Sequence, residues 1–262
     1  MEFIILFIFG LCIGSFLNVL ADRLPQDGSV IKGRSRCDKC KKTLKWYDLI
    51  PLLSFVNLKG KCRYCHARLS FFYPIIELTT GVMFAITTFF ILNGSQFLIS
   101  NFQLLITLIY YLFIVSSLIV IFFADLKYGI IPDKIIFPSA LISIAYLFFN
   151  HQSLIINHLL SAIGASFFFL LLFLITKGRG MGFGDVKYAF LMGLVLGFPN
   201  TIVSLYVAFL TGAIVGCILI IWRKKALRGT SIPFGPFLVL GTLSAIFYGE
   251  VLVQSFLRMA SL

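Results

Sequence analysis

From Leu78 to Ala124 the chain carries no Asp, Glu, Lys or Arg. That run is more than twice the ~20 residues that cross a bilayer core as helix. It is interrupted at Asn93-Gly94-Ser95-Gln96 and again at Ser100-Asn101, so it reads as two spans joined by an uncharged hairpin. The same pattern recurs along the chain. Phe3–Leu20 supplies one span, and Ile135–Thr176, broken at Asn150-His151-Gln152-Ser153, supplies two. Tyr188–Trp222 has a break at Gly197-Phe198-Pro199-Asn200, and Gly229–Leu257, which contains Glu250, supplies the last. Of the 262 residues, 60% are hydrophobic and only 12% charged, about half the charge of a soluble domain. A water-soluble globular protein and a disordered chain are both excluded. The expected fold is an all-α polytopic membrane protein.

The number of spans is seven if Gly197–Asn200 is a kink and eight if it is a turn. Charge decides. All but one of the 22 lysines and arginines fall in four stretches: Ala21–Ser70, Lys127 with Lys134, Lys177 through Lys187, and Arg223–Arg228. Eight spans put all four on one side, which the positive-inside rule makes cytoplasmic. Both termini then lie outside the cytoplasm, and the net charge of +12 reads as topology, with lipid and not nucleic acid as the partner. The sixth helix is expected over Asp185–Phe198, about 14 residues or ~21 Å, too short to span comfortably. The first apolar run lacks a basic n-region and a small-residue cleavage site, so it is expected to stay as a helix. No internal repeat is read from the chain.

Six cysteines fall into two kinds. Cys12 and Cys217 lie within predicted spans and are expected to be small buried apolar residues. Cys37-Asp-Lys-Cys40 and Cys62-Arg-Tyr-Cys65 form two C-x-x-C pairs, one residue beyond the usual zinc-ribbon separation. In a cytosolic loop, disulfides seldom persist. The four thiols are therefore expected to hold a structural zinc, which supplies stability that so small a core cannot. His66, next to Cys65, is expected to be a solvated neighbour.

Five acids sit in or beside the spans: Glu77, Asp125, Asp133, Asp185 and Glu250. Such groups are functional candidates by default. Asp125 ends the third span and Asp185 begins the sixth, so both occupy the cytoplasmic end at one depth. Two adjacent carboxylates share one proton, one serving as general base on water and the other as general acid. That is aspartic-protease chemistry; the alternative is two interfacial residues, with Asp185 capping a helix. Gly180, Gly182 and Gly184 would let backbone approach an extended substrate. Asp133 is as well suited to starting the fourth span as to chemistry. Glu77 either bonds a neighbouring helix or helps bind substrate. Glu250 is expected at the outer interface, and His151 and His158 in structural roles.

These residues resemble, in order along the whole chain, the type IV prepilin peptidases. The matching segments are Gly14-Ser15-Phe16-Leu17-Asn18-Val19 with Arg23-Leu24-Pro25, the two C-x-x-C pairs, and Asp48 through Phe55. They continue with Ser70-Phe71-Phe72-Tyr73-Pro74 and Glu77, Asp125 through Asp133, Gly182-Phe183-Gly184-Asp185, and Pro233-Phe234-Gly235-Pro236-Phe237. Asp38 departs from the proline that many members carry after the first cysteine. The resemblance implies a membrane aspartic endopeptidase, with Asp125 and Asp185 catalytic and Gly182, Gly184, Glu77, Asp133 and Lys187 supporting. It implies cleavage of prepilin or pseudopilin leaders after a glycine on the cytoplasmic side of a bacterial inner membrane. It also implies N-methylation of the new terminus with S-adenosylmethionine, for which no nucleotide fingerprint is visible. The corresponding division is a first helix at 1–20, a zinc-binding loop at 21–70 and a peptidase domain at 71–262. Two other classes compete: a proton-coupled transporter, and a zinc-ribbon scaffold without catalysis.

Overall fold

The computed structural model describes residues 2–30, 35–37, 39–94, 101–150, 152–178, 180–222 and 233–260. Ser95 through Ser100, Asp38, His151, Arg179 and the Arg223–Arg228 cluster lie outside them. The described chain is helical, in two compact units, Met1–Val120 and Ile121–Leu262.

The first unit contains α1 (Glu2–Arg23), the short loop helix α2 (Leu53–Asn57), α3 (Phe72–Gly94) and most of α4 (Asn101–Tyr128). α1 packs closely on α3 because its contact face is small. A Cβ on Gly10 would sit 2.8 Å from the Gly81 backbone, and one on Gly14 only 2.7 Å from the Glu77 backbone. Lipid offers no hydrophobic force between helices, so close backbone approach of this kind is what joins them. Asn18 adds a hydrogen bond to the Tyr73 carbonyl at 3.1 Å.

The second unit holds the end of α4, then α5 (Asp133–Asn150), α6 (Ile155–Ile175), α7 (Phe183–Leu196), α8 (Asn200–Ile221) and α9 (Gly235–Ala260). Among the described residues, seven helices, α1, α3, α4, α5, α6, α8 and α9, are long and apolar enough to cross a membrane. α7 is the exception at 14 residues, ten of them buried. It holds its place by packing inside the bundle: a Cβ on Gly193 would collide with the backbone of Ala162 in α6. His158 of α6 bonds the Leu194 carbonyl at 2.7 Å, the structural role expected of it. Hydroxyls of the buried Thr80, Thr88, Ser143 and Thr242 bond the carbonyl one turn back, which satisfies these donors inside the bundle.

The Gly197 break is a turn, as the eight-helix reading requires: Gly197 has φ +64° and Phe198–Pro199 is a cis peptide. α7 nevertheless begins and ends two residues earlier than expected. Asp185 accepts the Gly182 N–H from the third helical position, so the helix starts before the aspartate. Cys12 and Cys217 are exposed, not buried; in a membrane helix the lipid-facing side is as apolar as the packed side, and hydropathy does not separate them. Glu250 and His66 are exposed, the latter as expected of a solvated neighbour.

Candidate active site and metal centre

The four loop cysteines are free thiols, and their sulfurs all lie within 4.8 Å of one another. Cys37 and Cys65 are 3.9 Å apart, close to the ~3.8 Å sulfur–sulfur edge of a tetrahedral Zn–S₄ site. The donor set therefore fits zinc. Each pair sits in its own small hairpin, closed by an antiparallel bridge, Arg36 with Thr43 and Lys61 with Arg68. Contrary to the sequence reading, the hairpins repeat. In the first, Cys37 N–H donates to Lys42, Lys41 to Cys37 and Leu44 to Ser35. In the second, Cys62 donates to Ala67, His66 to Cys62 and Leu69 to Gly60. Lys41 and His66 occupy the same left-handed position, φ 56° and 55°.

The hairpins also set thiol acidity. The Cys40 amide, outweighing burial and aided by Lys39 and the neighbouring sulfurs, lowers the Cys37 thiol to about 7. At Cys65 the Ala67 amide acts downward, but desolvation and the three other sulfurs outweigh it and push the thiol up to about 11. Four sulfurs this close cannot all ionise without a cation between them. Between the hairpins, Asp48 accepts Arg63 Nε–H at 2.7 Å and the Lys45 amide at 3.2 Å, which ties the intervening segment to the second C-x-x-C pair. Glu77 on α3 fastens the same segment to the helices: it accepts the Leu52 amide at 2.9 Å and bonds Ser15 of α1. Of its two expected roles, the structure displays the helix contact.

The two aspartates come from opposite helix ends. Asp125 lies in the last turn of α4, which Gly129 ends in a left-handed conformation, φ +67°, donating its amide to the Asp125 carbonyl at 2.8 Å. Asp185 lies in the first turn of α7, where Gly182 N–H reaches its carboxylate at 3.2 Å. Both are buried, at 5% and 6% exposure, and Asp125 is close enough to act electrostatically on Asp185. Asp125 Oδ2 has no hydrogen-bond partner among the described residues. A buried, unpaired carboxylate oxygen is costly and marks a place for water or a reacting group.

The supporting residues separate. Gly182 is exposed, and a Cβ there would meet nothing nearer than 3.8 Å, so it leaves open space in front of Asp185. Gly184 instead packs on Ile131, where a Cβ would come within 3.1 Å. Asp133 opens α5, but the Pro132 carbonyl takes the first-turn amides of Ile135 and Ile136. The Asp133 carboxylate instead pairs with Lys187 of α7 at 2.7 and 2.8 Å, with the ammonium over the Phe183 ring at 5.2 Å.

Two residues had no chemical role in the sequence reading. Tyr188, three positions after Asp185 and fully buried, shares a 2.8 Å hydrogen bond with Thr242 of α9; its spacing on the Asp185 face was the available signal. Gly235 at the start of α9 abuts Asp125, and its flanking prolines were the signal.

Residues 8–91 match the bacterial peptidase A24 N-terminal domain, and residues 111–217 the type IV leader peptidase family. A prepilin leader peptidase/N-methyltransferase of Bacillus subtilis (strain 168) is 35% identical over 257 residues, 98% of each chain. One from Legionella pneumophila is 30% identical over 282 residues, covering 96% of this chain and 93% of the relative. One from Pseudomonas aeruginosa is 28% identical over 284 residues, covering 96% and 92%. No solved structure matches.

Proposed function

The chain belongs to the type IV leader peptidase family, and from that premise we propose that it is a multi-pass inner-membrane endopeptidase that removes the leader of prepilin or pseudopilin substrates. Cleavage follows a glycine, on the cytoplasmic side. The observation that carries this reading is the buried pair of Asp125 and Asp185 at one end of the second unit, with one carboxylate oxygen unpaired. The pair holds a single proton. The ionised carboxylate takes a proton from water, and the water oxygen attacks the peptide carbonyl. The protonated partner gives its proton to the departing amine nitrogen, which leaves the pair ready after one proton exchange. Open space at Gly182 admits the extended substrate, and the Lys187–Asp133 pair fixes the neighbouring ends of α7 and α5.

Cys37, Cys40, Cys62 and Cys65 hold zinc, whose chemistry there is structural cross-linking of residues 21–70. The basic stretches mark the cytoplasmic face, with both termini on the other side. Methylation of the new amino terminus with S-adenosylmethionine follows from the family alone. The four-thiol cluster does not fit that cofactor. Neither does the cavity of about 710 Å³ between α6 and α8, whose walls, including Leu160, Phe168 and Ile202, are mostly apolar and carry no charged side chain. The test is mass spectrometry of a prepilin-like substrate incubated with the purified, zinc-replete protein, with and without S-adenosylmethionine. The expected product lacks the leader in both cases and gains one methyl group only with the cofactor. An uncut substrate across several prepilins would overturn the peptidase reading.

A further inference from the structure

α9 touches the elements that carry both aspartates. Its first residue, Gly235, meets Asp125: a Cβ built there would stand 2.5 Å from Oδ2 and 3.0 Å from Cγ, and the Gly235 amide points at the carboxylate. Further along, Thr242 is bonded to Tyr188, one turn after Asp185. The sequence and the local bonding around Gly235 limit the other donors near that amide. Pro233 and Pro236 have no N–H, while the amides of Phe237 and Leu238 are taken by the Phe234 carbonyl at 3.0 and 3.2 Å. Phe234 is itself anchored, with its ring 5.2 Å from Phe209 and 6.2 Å from Phe169. The start of a 26-residue helix, with its positive dipole end, is thus aimed at a carboxylate that is 95% removed from solvent and has one unpartnered oxygen.

We propose that Gly235 is a positioning residue of the aspartate pair: its amide orients the Asp125 carboxylate, and its missing side chain is the space in which that carboxylate stands. The proposal rests on the peptidase reading and lies beyond the residues that match the two family models. α9, which carries neither acid, sets their relation. Gly235 fixes Asp125 from one end, and the Tyr188–Thr242 bond fixes α7 from the other.

The test uses the full-length, zinc-replete protein in lipid nanodiscs with a prepilin-like substrate, resolving kcat from KM. Gly235→Ala, which pushes a methyl into the carboxylate, is expected to lower kcat about 100-fold, the scale of losing one preorganised donor, with KM within about threefold. Replacing Gly235 by glycolate through an ester backbone removes the N–H and adds no bulk. It is expected to lower kcat about tenfold, the scale of one hydrogen bond to a charged group. Gly216→Ala, where a Cβ meets nothing within 4 Å, is expected to leave both constants unchanged. Wild-type kcat in the glycolate variant would overturn the proposal, including the case where the alanine variant fails to fold, as would a loss confined to KM. Asp125→Asn and Asp185→Asn run alongside. If they cleave normally, the peptidase reading itself fails. If they are inactive while the Gly235 variants are normal, the positioning proposal alone fails.

Discussion

The cysteine loop and the aspartate pair are both clusters of polar chemistry in an apolar chain, but they are assembled by opposite means. The loop is local. Each C-x-x-C pair is closed by backbone bonds spanning fewer than ten residues, the two hairpins share one register, and four sulfurs converge without help from a large core. Its four thiols fit a cation that would supply its order. The aspartates are 60 positions apart in the chain, on different helices, and nothing local joins them. They come within electrostatic reach because α7 fits against Ala162 through Gly193, because Gly129 ends α4 one turn after Asp125, and because α9 begins with a residue that has no side chain. One region would be held by a ligand, the other is held by packing, and each should fail without the other failing.

The strongest way to break that contrast is at the acids. Asp125→Asn or Asp185→Asn is expected to reduce cleavage by about 10³-fold or more, within the range that general acid–base groups supply, while bound zinc stays at one per chain by elemental analysis. Loss of zinc in either variant would mean that the regions are not separate. Next in size is packing: Gly193→Val forces a branched side chain into the α6 backbone and is expected to abolish both folding of the second unit and activity, seen as protease sensitivity within 183–196. The converse cut is Cys62→Ser. It is expected to release zinc and expose residues 35–69 to limited proteolysis, because metal binding supplies on the order of 10 kcal/mol to such loops, while the helical circular dichroism signal is retained.

Acidity sharpens the comparison. Metal binding must displace protons from the sulfurs, above all from Cys65, whose thiol is pushed up to about 11. Zinc affinity, read by chelator competition, is therefore expected to rise steeply with pH through neutrality and to fall as protons compete below about 7, where Cys37 also becomes a thiol. A flat profile would contradict four-thiolate ligation. The smallest effect belongs to Lys187→Ala. Its partner Asp133 is half exposed, so loss of the pair is expected to cost less than ~1 kcal/mol, a small drop in melting temperature.

What was legible in the sequence follows the same division. Lipid imposes its own ruler, so the long helices, the Gly197 turn and the short α7 could be read from uncharged lengths and basic clusters. The C-x-x-C spacing announced its own geometry, although the repeat did not, because it lies in backbone bonding while the two segments share few side chains. The aspartates could be ranked as candidates but not brought together, since their proximity is a product of tertiary packing. Gly235 and Tyr188 were opaque for the same reason: their partners, Asp125 and Thr242, are distant in sequence. Cys12 and Cys217 were misplaced because both faces of a membrane helix are apolar.

The central claim is that Asp125 and Asp185 act as one unit. The direct measurement is prepilin cleavage by Asp125→Asn, Asp185→Asn and the double variant, assayed side by side in nanodiscs with zinc content and folding verified. Residues that work as a unit lose almost everything with the first change, so the double variant is expected to be no slower than either single one. Multiplying losses, or substantial cleavage by any folded variant, would contradict the pair.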